Sequence, residues 1–190
     1  EVDQERVYTF RQLHEEVQIA AAMLRKMGVQ KGDRVLISSP TFDWETHGAL
    51  NDPNNPPQVN VNEGPQFLMH DDKVFIVYSA SGCWTDFYAL GLLHFQGNGD
   101  LLDASSWIKS EKPLFQQSVK NQVFAPGHNS FFKSPNGKED WILYHANSNP
   151  GEGCGNKRAP RMQKINWDSN GFPVFGEPVS EGTTLEIPAK

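Results

Sequence analysis

The sequence predicts an all-β domain of repeated four-stranded sheets set around an axis, a β-propeller, behind a short N-terminal helix–turn–strand segment. Three observations predict it. Over residues 8–28 the apolar residues keep helical spacing, and beyond Ser38 they do not. Beyond Ser38, short apolar runs alternate with clusters of Gly, Pro, Asn and Asp, the punctuation of an all-β chain. These runs also recur as a unit at an offset of about 65 residues, somewhat longer than the ~40–50 of familiar propeller repeats.

Taken in order, residues 8–28 read as a helix. Thr9 and Gln12 form a capping-box pattern, and Phe10, Leu13, Val17, Ala20, Ala21, Leu24 and Met27 fall on one face. Gly28 suits the C-terminal cap. Lys31-Gly32-Asp33 reads as a turn, and Val35 to Ile37 as a short strand. Asn51 to Val59, crowded with Asn and Pro, must be a loop. The repeat follows. "EGPQFLM" from Glu63, "KVFIVYSA" and "YALGLLHF" are answered by "HNSFFKS" from His128, "DWILYHAN" and "RMQKINW". Tyr78 aligns with Tyr144. In a propeller the first strand of each sheet lines the axis, so Glu63 and His128 would face it from neighbouring blades. An ordinary β-sandwich with a chance echo is the alternative.

At 190 residues the chain is long enough for a substantial core, and 37% hydrophobic with 11% aromatic content is globular. A formal net charge of −6 argues against a nucleic-acid partner. No apolar run approaches the ~20 residues needed to cross a bilayer, so no membrane partner is expected. The opening "EVDQERVYTF" is acidic and lacks an apolar stretch, so no signal peptide is visible. The two cysteines, Cys83 and Cys154, sit in no Cys-x-x-Cys pair, which excludes a zinc cluster of that kind. They read either as two buried thiols or as one disulfide formed in an oxidising compartment. Both fall in loops after equivalent Tyr strands.

Four separated stretches then carry a family resemblance. They are "VNEGPQFLMHDDKVFIVYSASGCWTDFYALGLL", "DLLDASSWIKSEKPLF", "FAPGHNSFFKSPNGKEDWILYHANSNPG" and "KRAPRMQKINW". From about Ser38 to the end, the chain resembles glycoside hydrolase family 43. The resemblance implies a five-bladed β-propeller that cleaves arabinose- or xylose-containing plant cell-wall polysaccharides with inversion, and a secreted protein. Within the family it looks most like α-L-arabinofuranosidases, with β-xylosidases as neighbours. Residues 1–37 resemble instead the N-terminal part of acyl-CoA synthetases of the adenylate-forming superfamily. The phosphate-cradling loop such enzymes need is nowhere in the chain, so adenylation has no site. Two domains are expected, residues 1–37 and residues 38–190, joined as a fusion near residues 34–40.

Inverting hydrolysis needs two carboxyl groups ~6.5–9.5 Å apart, one to protonate the leaving oxygen and one to activate water. By resemblance Glu63, in the Glu-Gly-Pro motif, is the general acid; read without the motif it is a solvated glutamate at a strand end. By resemblance His128 faces an axial metal, usually calcium, or its water shell; calcium prefers oxygen ligands, so a hydrogen-bonded core histidine is the plainer reading. Arg161, at the start of a predicted inner strand, matches the family's sugar-contacting arginine, with Arg158 as a competitor that reads more simply as a loop charge. Trp84 offers an aromatic face to a sugar or to packing between blades. The family's general base precedes the acid, yet none of Asp3, Asp33, Asp43 and Asp52 matches its motif. About three of five blades are therefore expected, with an idle catalytic apparatus. A carbohydrate-binding remnant and an acyl-CoA synthetase fragment are the alternatives.

Overall fold

The computed structural model describes residues 28, 36–48, 59–186 and 188–189. The chain divides into two units, Glu1–Val35 and Leu36–Lys190. The helix expected over 8–28 lies outside the described residues, apart from Gly28. Leu36 and Ile37 are described and belong to no strand, in contrast to the sequence reading.

The second unit is all-β. Strands β1 (Asn62–His70), β2 (Lys73–Ala80), β3 (Ala89–Phe95) and β4 (Trp107–Lys109) form one antiparallel sheet in that order. Strands β5 (Phe124–Lys133), β6 (Asp140–Asn147), β7 (Ala159–Trp167) and β8 (Pro173–Val174) form the second. Each sheet is a meander, and among the described residues no strand crosses from one to the other, unlike a Greek-key sandwich. The described residues thus form two four-stranded sheets, not the three blades expected. The physical reason lies ahead of β1. Residues 36–48 close only one 3₁₀ turn, Asp43–Glu45, and add no strand.

The two sheets meet face to face. Leu68, Phe75, Val77, Leu90 and Leu92 from the first pack against Ile142, Tyr144, Ala146 and Ile165 from the second, with Phe115 and Phe175 filling the join. Because β2 is central and covered on both faces, it reads as an unbroken apolar run rather than an alternating one. Its other face, with Ile76, Tyr78 and Ala80, packs under Ile37 and Trp44 of the preceding segment.

That segment is pinned by a buried charge. The Glu45 side chain is fully buried and accepts from the backbone N–H of Thr41 (2.7 Å) and Phe42 (3.0 Å) and from the Tyr78 hydroxyl (2.9 Å). Lys109 Nζ meets it at 2.9 Å. Two connections then set the end of the molecule where the site lies. The β2–β3 loop and the β6–β7 loop are tied by a Cys83–Cys154 disulfide with a Cα–Cα distance of 5.3 Å.

Candidate active site

Glu63 sits at the second residue of β1, where the strand pairing slips between Glu63 and Gln66. The slip is a bulge, and Gly64 takes the left-handed backbone it requires, with φ +55°. The bulge re-aims the start of the strand toward the neighbouring sheet. A side chain at Gly64 would stand 3.4 Å from the His128 ring. On the facing strand, β5 is bulged twice around Gly127, and Ala125 and His128 also have positive φ values, 50° and 53°. Non-glycine residues adopt that region at a cost of order 1–3 kcal/mol, sustained only where the surroundings dictate it. Here the His128 N–H is held by Ser79 Oγ at 2.8 Å.

These irregular strand ends converge on Tyr88. Its side chain is fully buried, and its hydroxyl donates to Glu63 Oε1 at 2.7 Å. The same hydroxyl lies 3.5 Å from His128 Nδ1. Gly127 makes room for the ring, since a Cβ there would overlap Tyr88 Cε1. Over the ring stands the Arg158 guanidinium, 5.0 Å from the centroid, with Nη2 donating to Ala125 O at 3.1 Å. Arg158 Nε is buried and has no partner among the described residues. His145 stacks beside His128 with centroids 6.4 Å apart.

The electrostatics follow from burial. Tyr88 is pushed far above the usual phenol range, first by desolvation and then by the Glu63 carboxylate, so it stays a hydroxyl donor at any working pH. His145 is lowered by burial and by the charges of Arg158 and His128. Arg158 is lowered by burial, with Tyr88 and Glu63 acting in the opposite direction. The cluster is therefore a carboxyl group, a neutral donor, two imidazoles and one guanidinium at one place.

Glu63 and His128 are thus brought together through Tyr88. Arg161 is not. It lies on β7, the third strand of its sheet, whereas β5, the first strand, borders β1. Its Nη2 donates to Ser148 Oγ at 2.8 Å, and Glu181 is 3.9 Å away. Arg158, just before β7, stands in the cluster instead. Trp84 is 41% exposed and tethered, its Nε1 donating to Gly48 O at 2.5 Å, and it makes no hydrogen bond to the cluster. Tyr88 was missed by sequence reasoning, and Arg158 was weighed there only as a competitor to Arg161 that reads more simply as a loop charge. Tyr88 reads as the first residue of a strand, and no local pattern marks it.

A single carboxyl group occupies the cluster among the described residues. Glu45 is spent on Lys109, Asp86 accepts from Gly151 N–H, and Asp43 is exposed. Asp3, Asp33 and Asp52 lie outside the described residues. No three His, Cys, Asp or Glu side chains are grouped to hold a metal among the described residues. Calcium takes six to eight oxygen ligands, and no step below runs through one. No described helix is long and apolar enough to cross a membrane.

Residues 2–173 match the family described as Glycosyl hydrolases family 43. An extracellular exo-α-(1→5)-L-arabinofuranosidase of Streptomyces avermitilis is 41% identical over 153 residues, 78% of this chain and 29% of that protein. The crystal structure of an α-L-arabinofuranosidase from Lactobacillus brevis superposes with a TM-score of 0.68 at 35% identity, over 81% of this chain and 45% of that one. The chain therefore spans less than half the length of these relatives. A separate match of 40 residues, 21% of this chain and 6% of the other, is 60% identical to a propionate–CoA ligase of Escherichia coli. That match is consistent with the expected joining of two unrelated sequences.

Proposed function

This chain belongs to glycosyl hydrolases family 43, and from that premise we propose that it carries the acid half of a glycosidase site for arabinose- or xylose-containing plant polysaccharides. Glu63 is the general acid of an inverting reaction, and the two sheets are blades of a five-bladed propeller. The observation that carries the reading is the convergence of Glu63, Tyr88, His128 and Arg158 from four separate stretches of sequence. Among the described residues Glu63 Oε2 accepts no hydrogen bond, which leaves it for a leaving oxygen. Arg158 and the imidazoles supply donors suited to sugar hydroxyls. Trp84 and Arg161 fit outer contacts to a longer oligosaccharide. The parent protein acts outside the cell.

Among the described residues the second carboxylate has no counterpart beside Glu63, and the isolated chain is expected to turn over substrate negligibly. Without a base the water is not activated, and a positioned base contributes typically 10²–10⁴-fold. Release of nitrophenol from nitrophenyl α-L-arabinofuranoside by the full chain, compared with Glu63→Gln, tests this. Background-level release from both is expected. Robust turnover lost in Glu63→Gln would refute the inactivity while upholding the acid. A binding remnant without catalysis is the second reading, favoured by the lone carboxyl group. Calorimetric binding of arabino-oligosaccharides without turnover would support it. The short ligase-like match supplies no phosphate loop, and ATP binding is expected to be absent.

A further inference from the structure

We propose that Tyr88 is a positioning residue for Glu63, whose hydroxyl holds Oε1 and so assigns the transferable proton to Oε2. The inference rests on the reading of Glu63 as the general acid and deepens it. A glutamate side chain has three rotatable bonds, and its two oxygens are equivalent until a neighbour distinguishes them. Here one neighbour does. Tyr88 is buried, keeps its proton, and donates at 2.7 Å to Oε1 alone. Its ring cannot drift, being set between the Gly127 backbone and the Arg158 guanidinium.

The donation operates in both protonation states. When Glu63 is protonated, Oε1 is the carbonyl oxygen, which still accepts from Tyr88, and the proton sits on Oε2. In the step this serves, the O–H bond at Oε2 breaks and its proton passes to the glycosidic oxygen. That oxygen keeps the electron pair of its bond to the anomeric carbon. Water closes on the anomeric carbon and yields its proton to a carboxylate base. Glu63 is left as a carboxylate, and the hydrogen bond from Tyr88 becomes charge-assisted, roughly twice as strong as a neutral one. An interaction that strengthens as the reaction proceeds lowers the barrier rather than only holding the ground state. Arg158, over the far side of the Tyr88 ring, adds positive potential toward the same carboxylate.

The test is nuclear magnetic resonance on the full chain carrying ¹³C-labelled glutamate, with the Glu63 signals identified by their loss in Glu63→Gln. Tyr88→Phe keeps the ring and its packing and removes only the donor. We expect it to move the Glu63 carboxyl-carbon resonance and to drop the side-chain order parameter into the flexible range, below about 0.6, while resonances remote from the cluster stay put. An unchanged Glu63 resonance and order in folded Tyr88→Phe would overturn the proposal. If that variant fails to fold, the contact is read from the other side. In Glu63→Gln the Tyr88 ring Cζ resonance must move, and an unmoved Cζ also overturns it. None of these signals depends on turnover. Failure of sugar release therefore leaves the positioning role intact, and failure here leaves the release assay to judge the acid.

Discussion

At the scale of single residues, the site is built from backbone that ordinary strand patterns do not announce. Glu63 was legible because its Glu-Gly-Pro motif is distinctive, and His128 because the internal repeat set it opposite Glu63. Tyr88 was not legible, and Arg158 was legible only as a rival to Arg161. Their closeness to Glu63 is created by the bulges in β1 and β5 and by positive φ at Gly64, Ala125 and His128. A strand pattern carries no mark of those features. The choice between Arg161 and Arg158 was not legible for the same reason: three residues separate them, and it is Arg158 that stands over the Tyr88 ring. Gly127 is the most constrained of these positions. A methyl group added there would overlap Tyr88 Cε1. Gly127→Ala is expected to displace the ring and cost about 1–3 kcal/mol, as overpacking does. The urea midpoint of the variant checks this, and an unchanged midpoint would mean that the ring has room.

At the scale of elements, the strands were legible and the segment ahead of them was not. Apolar runs bounded by turn residues mark β1 through β7 because each must bury one or both faces. Residues 36–48 lack any such period. They adhere to the first sheet through the Glu45–Lys109 ion pair, through Ile37 and Trp44 packed on the β2 face, and through hydrogen bonds from the Ser81 and Gly82 amides. Glu45 and Lys109 are 64 residues apart, and pattern reasoning cannot pair them. Burial alone would raise the Glu45 carboxyl, but donation from Lys109, the Thr41 and Phe42 amides and Tyr78 outweighs it, so the net shift is downward. The sign follows. A carboxyl held lower in the folded state contributes stability above its ordinary value of 4.5 and loses it as pH falls through the folded value. Lys109→Met leaves a buried carboxylate uncompensated and is expected to cost about 3–5 kcal/mol at neutral pH. Denaturation curves from pH 7 down to pH 3 check both points: the parent loses stability below 4.5, and the variant shows less of that loss. A parent curve flat over this range would contradict the pairing. The Cys83–Cys154 bridge joins the two loops that flank the cluster across 71 residues. The sequence left it open between bridge and free thiols, because Cα spacing is a property of the fold.

At the scale of the whole molecule, the all-β class and the meander repeat were legible, and the number of sheets was not. Each sheet has a face that the other does not cover. On the first, Phe67 and Met69 are 64% and 62% exposed. On the second, Phe132, Leu143 and Met162 are each more than a third exposed. A propeller buries such faces between successive blades, which agrees with a chain spanning less than half of its relatives' length. The acid net charge of −6 suits an uncharged sugar polymer no better than other neutral ligands, so the assignment of ligand class rests on the cluster and the family together. The most direct measurement is a titration of the isotope-labelled full chain with an arabino-oligosaccharide, followed residue by residue. The account predicts that the largest resonance changes fall on Glu63, Tyr88, His128 and Arg158 and are weakened in Glu63→Gln. Changes that map elsewhere, or none at saturating sugar, would contradict it.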